Sequence, residues 1–483
     1  MADAHRSRLV PLLLVGCLLV PACKRAGPPA QVVILISGEP LTLDPHLHRE
    51  VITRSVLANI YEGLVGFDRR MAIEPLLAER WENPDEKTWI FRLRPGVTFP
   101  DGRKMTAEDV VFSLTRALQH PQSQVKSMLE GVSRVVAVDG ATVRIETTQP
   151  IPVLLNRLTK VAIVAVRGVS RIPARPDVSA PLGTGPYLCT AWDSRRGMVL
   201  ERRDGYWGRQ PSIQRMVFRA MTDNSRAIAL VKEGTADLVA AITPEGAKEL
   251  PEDDRIKIIR RAGLPVRYLK LDPTLPPFSS PLLRQAVSLA LDRQQLVELA
   301  ARGFARPANQ MVTPAVFGYN ADLQPLHRDI RGAKALLSQA GYPQGLAVEL
   351  DVIDVRAHIG EVIKEQLAEA GIQVTLLVHD KKTFFEGTGR KSYFFMSAVA
   401  SNSGDASDLF DSTTDVSSED AVALGSMNPL TRLEVLKRLL ARMTEECVFV
   451  PLYAEDEIYA VSPRLRWEAR QDMMLLGKEM DRE

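Results

Sequence analysis

Short apolar runs separated by turn residues form the first part of the chain, a pattern typical of a mixed α/β protein. QVVILIS (31–37) is an unbroken, β-branched run and predicts a buried strand. In VITRSVLANIYEGLVGFD (51–68), apolar residues recur every four positions from Val56, which predicts a helix. TWIFRLR (88–94) alternates apolar and polar residues and predicts a half-buried strand.

A turn-rich stretch and a hairpin follow this strand. The PG and PDG turns of 95–102 precede Thr106, which is placed to cap a helix together with Asp109. RVVAVDGATVRIETT (134–148) predicts a hairpin that turns at DG. The Pro-, Gly-, Arg- and Ser-rich residues 170–186 then predict a crossing between domains.

Two strand–helix–strand units lie further along the chain, and this arrangement favours parallel pairing. The first unit covers 214–242, with Asn224 as the expected helix cap. The second covers 347–378, and a last helix (431–446) leads into the strand VFVPLYA (448–454). Two alternating β/α regions joined by loops predict two lobes with a cleft between them.

Size and charge narrow the class of protein. A chain of 483 residues is long enough for two or three domains, because single cores rarely exceed about 250 residues. The formal net charge is +2 and no run of five basic residues occurs, which argues against a dedicated nucleic-acid surface.

The N-terminus has the pattern of an export signal. A charged start precedes LVPLLLVGCLLVPA, and Cys23 follows the small residue Ala22. Residues 1–22 therefore predict a signal peptide, Cys23 a lipidated first residue, and 23–30 a short tether. A plain secretory signal cut elsewhere and a tethering membrane helix are the alternatives.

Candidate chemistry is sparse. No GxSxG, HExxH, Walker-type or GxGxxG motif is present, and GTGPY (183–187) lacks the strand-to-helix setting of a phosphate cradle. The close pair His46 and His48 is interpreted as exposed loop histidines, and the acidic loop around Asp405 as a solvated segment rather than a calcium loop. We therefore expect no catalytic residue, no metal and no cofactor.

The body of the chain contains two cysteines, Cys189 and Cys447, because Cys17 and Cys23 belong to the signal. They lie far apart without CxxC spacing, so no redox or metal motif is visible. A disulfide and two buried free thiols both stay open.

Eight segments in order give the chain a family resemblance. LTLDPHL, NIYEGLVGFD, IEPLLAERWE, TWIFRLRPGVTFPDGRKMTAEDVVFSL, GTGPYLCTAW, LERRDGYWG, LLRQAVSLALDRQQLVE with ARPANQMVTP, and AKALLSQAGYPQG occur between about 31 and 375. Together they resemble the peptide-type extracellular solute-binding proteins of ABC importers, the oligopeptide, dipeptide and nickel group (family 5).

This resemblance implies an α/β, two-lobed fold of the type II periplasmic-binding-protein kind, with an additional small inserted domain. It implies lobe I from residues 31–70, 181–265 and 456–483, the small domain from 71–180, and lobe II from 266–455. Solute would be buried at the lobe interface by hinge closure.

The resemblance also implies the contacts of a bound solute. The loop after LDP would line the cleft, and Asp405, with Asp408 as the second choice, would anchor a peptide's amino group. The predicted ligand-binding residues are Arg49, Glu50, Val51, Ser401, Asn402, Asp405 and Asp408. The tryptophan, tyrosine and proline of the family's aspartate motif are absent here, and the stretch after it is shortened to DVSSEDAVALGSMNP.

The leading hypothesis is a monomeric, lipid-anchored receptor that captures peptide-like solutes in the periplasm or cell envelope and delivers them to an ABC transporter permease. Its alternatives are a receptor for a nickel or other metal chelate, haem, an opine or an oligosaccharide, and an envelope hydrolase. A DNA-binding regulator on this fold is disfavoured, because the export signal leaves no room for a DNA-binding segment.

Overall fold

The computed structural model describes residues 30–166, 183–193, 195–240, 242–248, 254–386, 392–410 and 416–482. The predicted signal peptide, the lipidation site Cys23 and most of the predicted crossing 170–186 lie outside these residues.

The strands, in chain order, are β1 Gln31–Ile36, β2 Val65–Phe67, β3 Ile73–Pro75, β4 Ala78–Asp85, β5 Thr88–Leu93, β6 Val132–Asp139, β7 Thr142–Thr147, β8 Tyr187–Asp193, β9 Gly197–Arg202, β10 Arg215–Ala220, β11 Leu238–Val239, β12 Lys257–Leu271, β13 Ala305–Pro307, β14 Leu346–Ile353, β15 Ile372–His379, β16 Phe394–Val399, β17 Phe449–Val461, β18 Leu465–Arg466 and β19 Asp481–Arg482.

The α-helices are α1 Val51–Leu57, α2 Ala107–Gln119, α3 Leu154–Leu158, α4 Asn224–Lys232, α5 Pro244–Lys248, α6 Pro281–Ala290, α7 Arg293–Leu299, α8 Ile330–Gln339, α9 Ala357–Glu369, α10 Lys381–Glu386, α11 Ser418–Leu424 and α12 Pro429–Glu446. Short 3-10 helices lie at Lys126–Leu129, Asp354–Arg356, Ala406–Leu409 and Gly477–Glu479.

One large sheet runs through both lobes. Its strand order in the described residues is β15-β14-β16-β12-β17-β11-β1-β10-β9-β8, with β13 also paired to β17. The first predicted strand–helix–strand unit places β10 and β11 on opposite sides of β1, each parallel to it. In the second unit β14 pairs directly with β15, also in parallel. Both units are therefore confirmed.

The two longest strands connect the two halves of this sheet. β12 pairs with β17 in antiparallel register along its length, and the register is interrupted between Ala262 and Val266. Gly263 lies in this interruption, where a Cβ atom would come within 2.4 Å of the carbonyl oxygen of Glu455. The strands thus cross between the lobes at a point that requires glycine, because any side chain would collide with the opposite backbone.

The small domain and lobe II each have a packed apolar core. In the small domain, α2 packs on the four-stranded sheet β4-β5-β7-β6 through fully buried residues such as Phe91, Leu114 and Ile145. In lobe II, helices α6 to α9 pack on the sheet around residues such as Leu291 and Ile363. Burying such a side chain stabilises a fold by about 1.5–3 kcal/mol. The residue limits of the three units stay a prediction.

The predicted helix over 51–68 is wrong in its length. α1 ends at Leu57, and β2 forms at Val65–Phe67. The GTGPY loop explains the early end, because its Gly185 donates its backbone N–H to the carbonyl of Ile60 at 2.9 Å. A Cβ at Gly183 would lie 2.1 Å from that same oxygen. The glycines of this loop therefore serve close backbone packing against the turn after α1.

The predicted helix caps are partly confirmed. The Asp109 carboxylate accepts the backbone N–H of Thr106 at 3.0 Å, as the capping pattern indicates. The cap of α4 is Asp223, which accepts from the N–H of Arg226 at 3.0 Å, so the prediction of Asn224 is wrong by one residue. Asp and Asn cap helices about equally well, so the sequence alone does not show which of the neighbours Asp223 and Asn224 is the cap.

Both cysteines of the body are buried free thiols. Burial raises the pKa of Cys189 to about 11, so this thiol is protonated at neutral pH. The open alternative of a disulfide is therefore excluded.

Candidate functional site

A cleft lies where α1, the small domain and lobe II meet. Two cavities of about 180 and 110 Å³ share part of its wall. A single water needs about 10–15 Å³ on this measure, so the cleft has room for a small solute. The residues common to both cavities are Arg54, Ala58, Tyr61, Gly63, Thr159, Lys160 and Asn402.

Each side of the cleft comes from a different part of the chain. Arg54 lies in α1, and Lys160 follows α3 of the small domain. Asn402 follows β16 of lobe II. Leu57, Val125 and Met128 add an apolar wall to the larger cavity. A solute in the cleft would therefore contact three distant parts of the chain at once.

The small domain and lobe II also touch directly beside the cleft. The Asn156 side-chain amide donates to the carbonyl of Ser403 at 2.8 Å. This hydrogen bond spans 247 residues of sequence and ties α3 to the loop after β16. The cleft is thus narrowed on this side by a polar contact rather than by a shared apolar core.

Three cations line the larger cavity. Arg54 and Lys160 are partly buried, and Arg49 is exposed at the edge. The side chains of these three cations form no hydrogen bond and no close ion pair with any residue that the structure describes. Burial, followed by the charge of Arg54, lowers the pKa of Lys160 to about 8, while Asp408 opposes the shift.

Two carboxylates of the smaller cavity already have protein partners. Glu62 accepts hydrogen bonds from Thr184 Oγ1 at 2.9 Å, Tyr206 Oη at 2.6 Å and Trp207 Nε1 at 2.8 Å. Asp472 pairs with Arg470 at 2.8 Å.

The remaining charges of that cavity are Glu74, which is exposed, and Lys478. Arg54 and Lys160, the two cations that line both cavities, therefore form no close ion pair with a carboxylate of the described chain.

His48 lines the larger cavity, and one of its ring nitrogens lacks a hydrogen-bond partner within the described chain. It is 6% exposed, and its Nδ1 atom has no hydrogen-bond partner of normal geometry among the described residues. Burial, and then the charge of Arg54, lowers the pKa of His48 to about 4, so the ring is neutral at pH 7. A neutral imidazole can still donate or accept one hydrogen bond.

The interpretation of His46 and His48 as exposed loop histidines is wrong, since both are buried. Arg116 explains the position of His46: its guanidinium donates to His46 Nδ1 at 2.8 Å and pairs with Asp44 at 2.6 Å. His46 Nε2 then donates to the carbonyl of Ala162 at 2.9 Å. No cluster of three metal-ligating side chains occurs in the part of the chain that the structure describes.

Among the predicted site residues of the loop after LDP, the structure places Arg49 on the larger cavity. Glu50 caps α1 by accepting the backbone N–H of Thr53 at 3.3 Å, and Val51 is the first residue of that helix. Neither Glu50 nor Val51 is among the residues that line the cavity.

In lobe II, Asn402 lines both cavities. The neighbouring Ser401 is buried, with no hydrogen-bond partner for its Oγ among the described residues. The role of these residues in ligand binding stays a prediction.

Asp405 has an internal partner. Its carboxylate is 2.9 Å from the Arg432 guanidinium, and both side chains are almost fully buried. Its Oδ1 also accepts the backbone N–H of Ser407 at 3.0 Å. This ion pair argues against the predicted role of Asp405 in anchoring a ligand's amino group.

Asp408, the second choice for that role, is exposed and accepts a hydrogen bond from Ser403 Oγ at 2.5 Å. Its charge acts on Lys160 across the cleft.

Arg54 and Lys160 are absent from the predicted site residues. Arg54 lies within the predicted helix 51–68, whose apolar pattern marks only the buried positions. Lys160 stands alone after a short apolar run, and no motif marks it. A cation within an otherwise apolar stretch is the signal that could have identified Arg54 and Lys160. This signal is too common in protein sequences to identify a binding site.

A cleft between two α/β lobes that are joined by crossing strands is the arrangement expected of a solute-binding protein. Residues 72–420 match the model for bacterial extracellular solute-binding proteins, family 5. The chain belongs to this family, so the predicted family and fold class are confirmed. It is a substrate-binding protein of an ABC importer and not an enzyme.

Named relatives agree with this assignment. The glutathione-binding protein GsiB of Salmonella typhi is 28% identical over 466 residues, covering 90% of this chain and 91% of its own. The ABC transporter-associated periplasmic binding protein DppA of Helicobacter pylori, solved with the peptide STSA, aligns with a TM-score of 0.77 at 22% identity, covering 94% of this chain and 98% of its own.

A third relative has a different kind of solute. AgaA of A. tumefaciens R10, solved with agropinic acid, has a TM-score of 0.77 at 24% identity and covers 94% of this chain and 99% of its own. Both structural likenesses show the shared fold. Within the described residues, every helix is too short or too polar to cross a membrane.

Proposed function

We propose that the protein captures peptide-like solutes in the cleft and delivers them to a membrane permease as a monomeric, lipid-anchored receptor. The observation that carries this proposal is the construction of the cleft, where Arg54, Lys160 and Asn402 come from three separate parts of the chain. A solute that contacts all three stabilises the closed arrangement, because those contacts exist together only when the lobes meet.

The choice of peptide-like solutes is supported by the relatives. GsiB is named for glutathione, and DppA was solved with a four-residue peptide. The cleft combines an apolar wall with a few polar and charged groups, which suits a short peptide better than a flat aromatic cofactor. An opine-like amino acid derivative is the second candidate, since AgaA was solved with agropinic acid.

The membrane anchor is proposed from the N-terminal sequence. Cys23 follows an apolar segment and a small residue, as in lipidated exported proteins. Replacing Cys23 with serine should release the protein from the membrane fraction into the soluble envelope fraction. Unchanged fractionation would contradict the anchor and leave the solute-binding proposal untouched.

Thermal stability with candidate solutes tests the proposed binding. The chain from residue 24 onward keeps every described residue and is suited to this assay. A peptide at a hundred times its dissociation constant should stabilise the protein by about 2.7 kcal/mol. If a library of dipeptides to pentapeptides that includes glutathione gives no stabilisation, the peptide proposal is refuted.

A variant tests whether closure accompanies binding. Asn156→Ala removes the hydrogen bond to Ser403 but no residue of the cavity lining. A neutral hydrogen bond contributes about 1 kcal/mol, so affinity should fall about fivefold, mainly through faster dissociation. Asn83→Ala is the matched control, because Asn83 bonds to carbonyls of its own hairpin at 2.6 and 2.7 Å. Equal affinities of both variants would contradict a closed bound state.

A further inference from the structure

Two carboxylates of the cleft have hydrogen-bond or ion-pair partners within the protein, whereas two of its cations have none among the described residues. Glu62 and Asp472 are fixed by protein donors, as described above, whereas Arg54 and Lys160 are partly buried without any such partner in the described chain. Burying a cation without a counter-charge opposes folding, because the ion loses hydration that nothing replaces. Such an arrangement persists in a binding site when the ligand supplies the missing charge.

The environment of Lys160 shows that the missing charge is negative. Burial and the neighbouring Arg54 both disfavour its ammonium form, and Asp408 compensates only in part, so its pKa is about 8. Burial likewise lowers the pKa of Arg54, while Asp472 opposes this. An anion placed between the two side chains would remove the repulsion and stabilise both charged forms.

We infer that Arg54 and Lys160 hold a carboxylate of the bound solute, and that the solute class is acidic peptide-like molecules. This inference rests on the proposed function, because it assigns the solute of the same cleft. Arginine suits the role because its planar guanidinium can pair with both oxygens of a carboxylate, and lysine adds a second, mobile charge from the small domain.

His48 completes this anion-binding group. His48 lines the same cavity as Arg54, its buried Nδ1 has no hydrogen-bond partner of normal geometry among the described residues, and the ring is neutral at pH 7. A neutral ring adds a hydrogen-bond donor or acceptor without adding a third buried charge. On the lobe II side, the Asn402 amide supplies a neutral polar group. Arg49 is exposed at the edge of the cavity, so the partly buried Arg54 and Lys160 are the cations that distinguish a carboxylate from its amide.

Matched pairs of solutes test the inference on the unaltered protein. The probes are Ala-Ala-Glu and Ala-Ala-Gln, their C-terminal amides, glutathione and its ethyl ester, an N-carboxyalkyl amino acid, and inorganic phosphate. Calorimetry on the chain from residue 24 onward should show that converting one carboxylate to an amide or ester weakens binding at least about tenfold, the loss expected for one charged hydrogen-bonded pair.

Variants locate the effect. Lys160→Gln and Arg54→Gln should each reduce the acid-to-amide ratio to below about threefold, because one of the two cations that pair with the carboxylate is gone. Lys334→Gln and Arg331→Gln are the controls, since these cations are exposed on α8 of lobe II, away from the cleft. They should keep the full ratio.

The outcomes separate this inference from the proposed function. If neutral and acidic peptides bind equally, the inference is overturned while the peptide receptor stands. If the N-carboxyalkyl amino acid binds and no peptide does, the peptide proposal falls and the carboxylate assignment stands. The assignment is also overturned if no carboxylate probe binds, if phosphate alone binds as tightly, or if the ratio survives in both cleft variants.

Discussion

The buried pair of Asp405 and Arg432 predicts a loss of stability, rather than of affinity, when Asp405 is replaced by alanine. The two side chains are 4% and 6% exposed and lie 2.9 Å apart. Arg432 keeps a bond from its Nε to the carbonyl of Leu424 at 3.0 Å and stacks over Phe317 at 5.4 Å. Without the carboxylate, the remaining guanidinium donors would be buried without a counter-charge.

The size of the loss follows from this burial. Removing one partner of a buried ion pair costs about 3–5 kcal/mol, because the other charge stays desolvated. Losing the bond that Asp405 accepts from the Ser407 N–H adds up to about 1 kcal/mol. For a lobe of this size, 3–5 kcal/mol corresponds to a decrease in Tm of about 6–20 °C.

Urea unfolding followed by circular dichroism measures this effect. Asp405→Ala should be far less stable than Asp408→Ala, whose exposed carboxylate contributes about 1 kcal/mol or less through Ser403. The double change Asp405→Leu with Arg432→Met should recover most of the stability, since no charge is left buried. A stable Asp405→Ala variant with peptide affinity reduced at least about tenfold would refute this reasoning and restore Asp405 as a ligand contact.

Three further predictions concern the strands between the lobes and the cleft. Gly263→Ala would place its Cβ 2.4 Å from the Glu455 carbonyl oxygen, so it should destabilise the protein by about 1–3 kcal/mol in urea unfolding; an unchanged midpoint would show that the crossing relaxes freely. Burial, and then the charge of Glu455, raises the pKa of Glu457 from its ordinary 4.5 to about 7. Ionisation of Glu457 therefore opposes folding. This destabilisation is absent below pH about 4.5 and reaches at most about 3 kcal/mol above pH 7. Glu457→Gln should therefore match the native protein at pH 4.5 and exceed its stability at pH 8, and equal stabilities at pH 8 would contradict the assigned pKa. Because the pKa of Lys160 is about 8, affinity for a carboxylate solute should fall between pH 7 and 9.5 in the native protein but not in Lys160→Gln. Calorimetry at several pH values measures this difference. If affinity depends on pH in the same way in both proteins, Lys160 is excluded from the site.

Local patterns predicted much of the fold. The alternation in 88–94 gave the expected strand β5, and the DG turn of 134–148 gave the expected hairpin of β6 and β7, because these signals depend on neighbouring residues. The end of the first helix was not predictable, since it depends on the approach of Gly183 and Gly185, which lie more than 120 residues further along the chain. A periodic apolar pattern shows that positions are buried, and it does not show whether the backbone between them continues as a helix.

The candidate site was harder to predict than the fold. Family motifs led to the loop at 401–408, where Asn402 does line the cavity. They also led to Asp405, and nothing in the local sequence marks Arg432, 27 residues away, as its partner. Arg54 and Lys160 meet only in the folded chain, and their significance depends on the absence of a partner within the described residues, which no sequence pattern records.

The central position of β17 makes both halves of the large sheet depend on one strand. This strand pairs with β11, β12 and β13. A substitution that disrupts β17 should therefore loosen both halves at once. A substitution in β8 or β15, which lie at the two ends of the strand order, should act first on its own half.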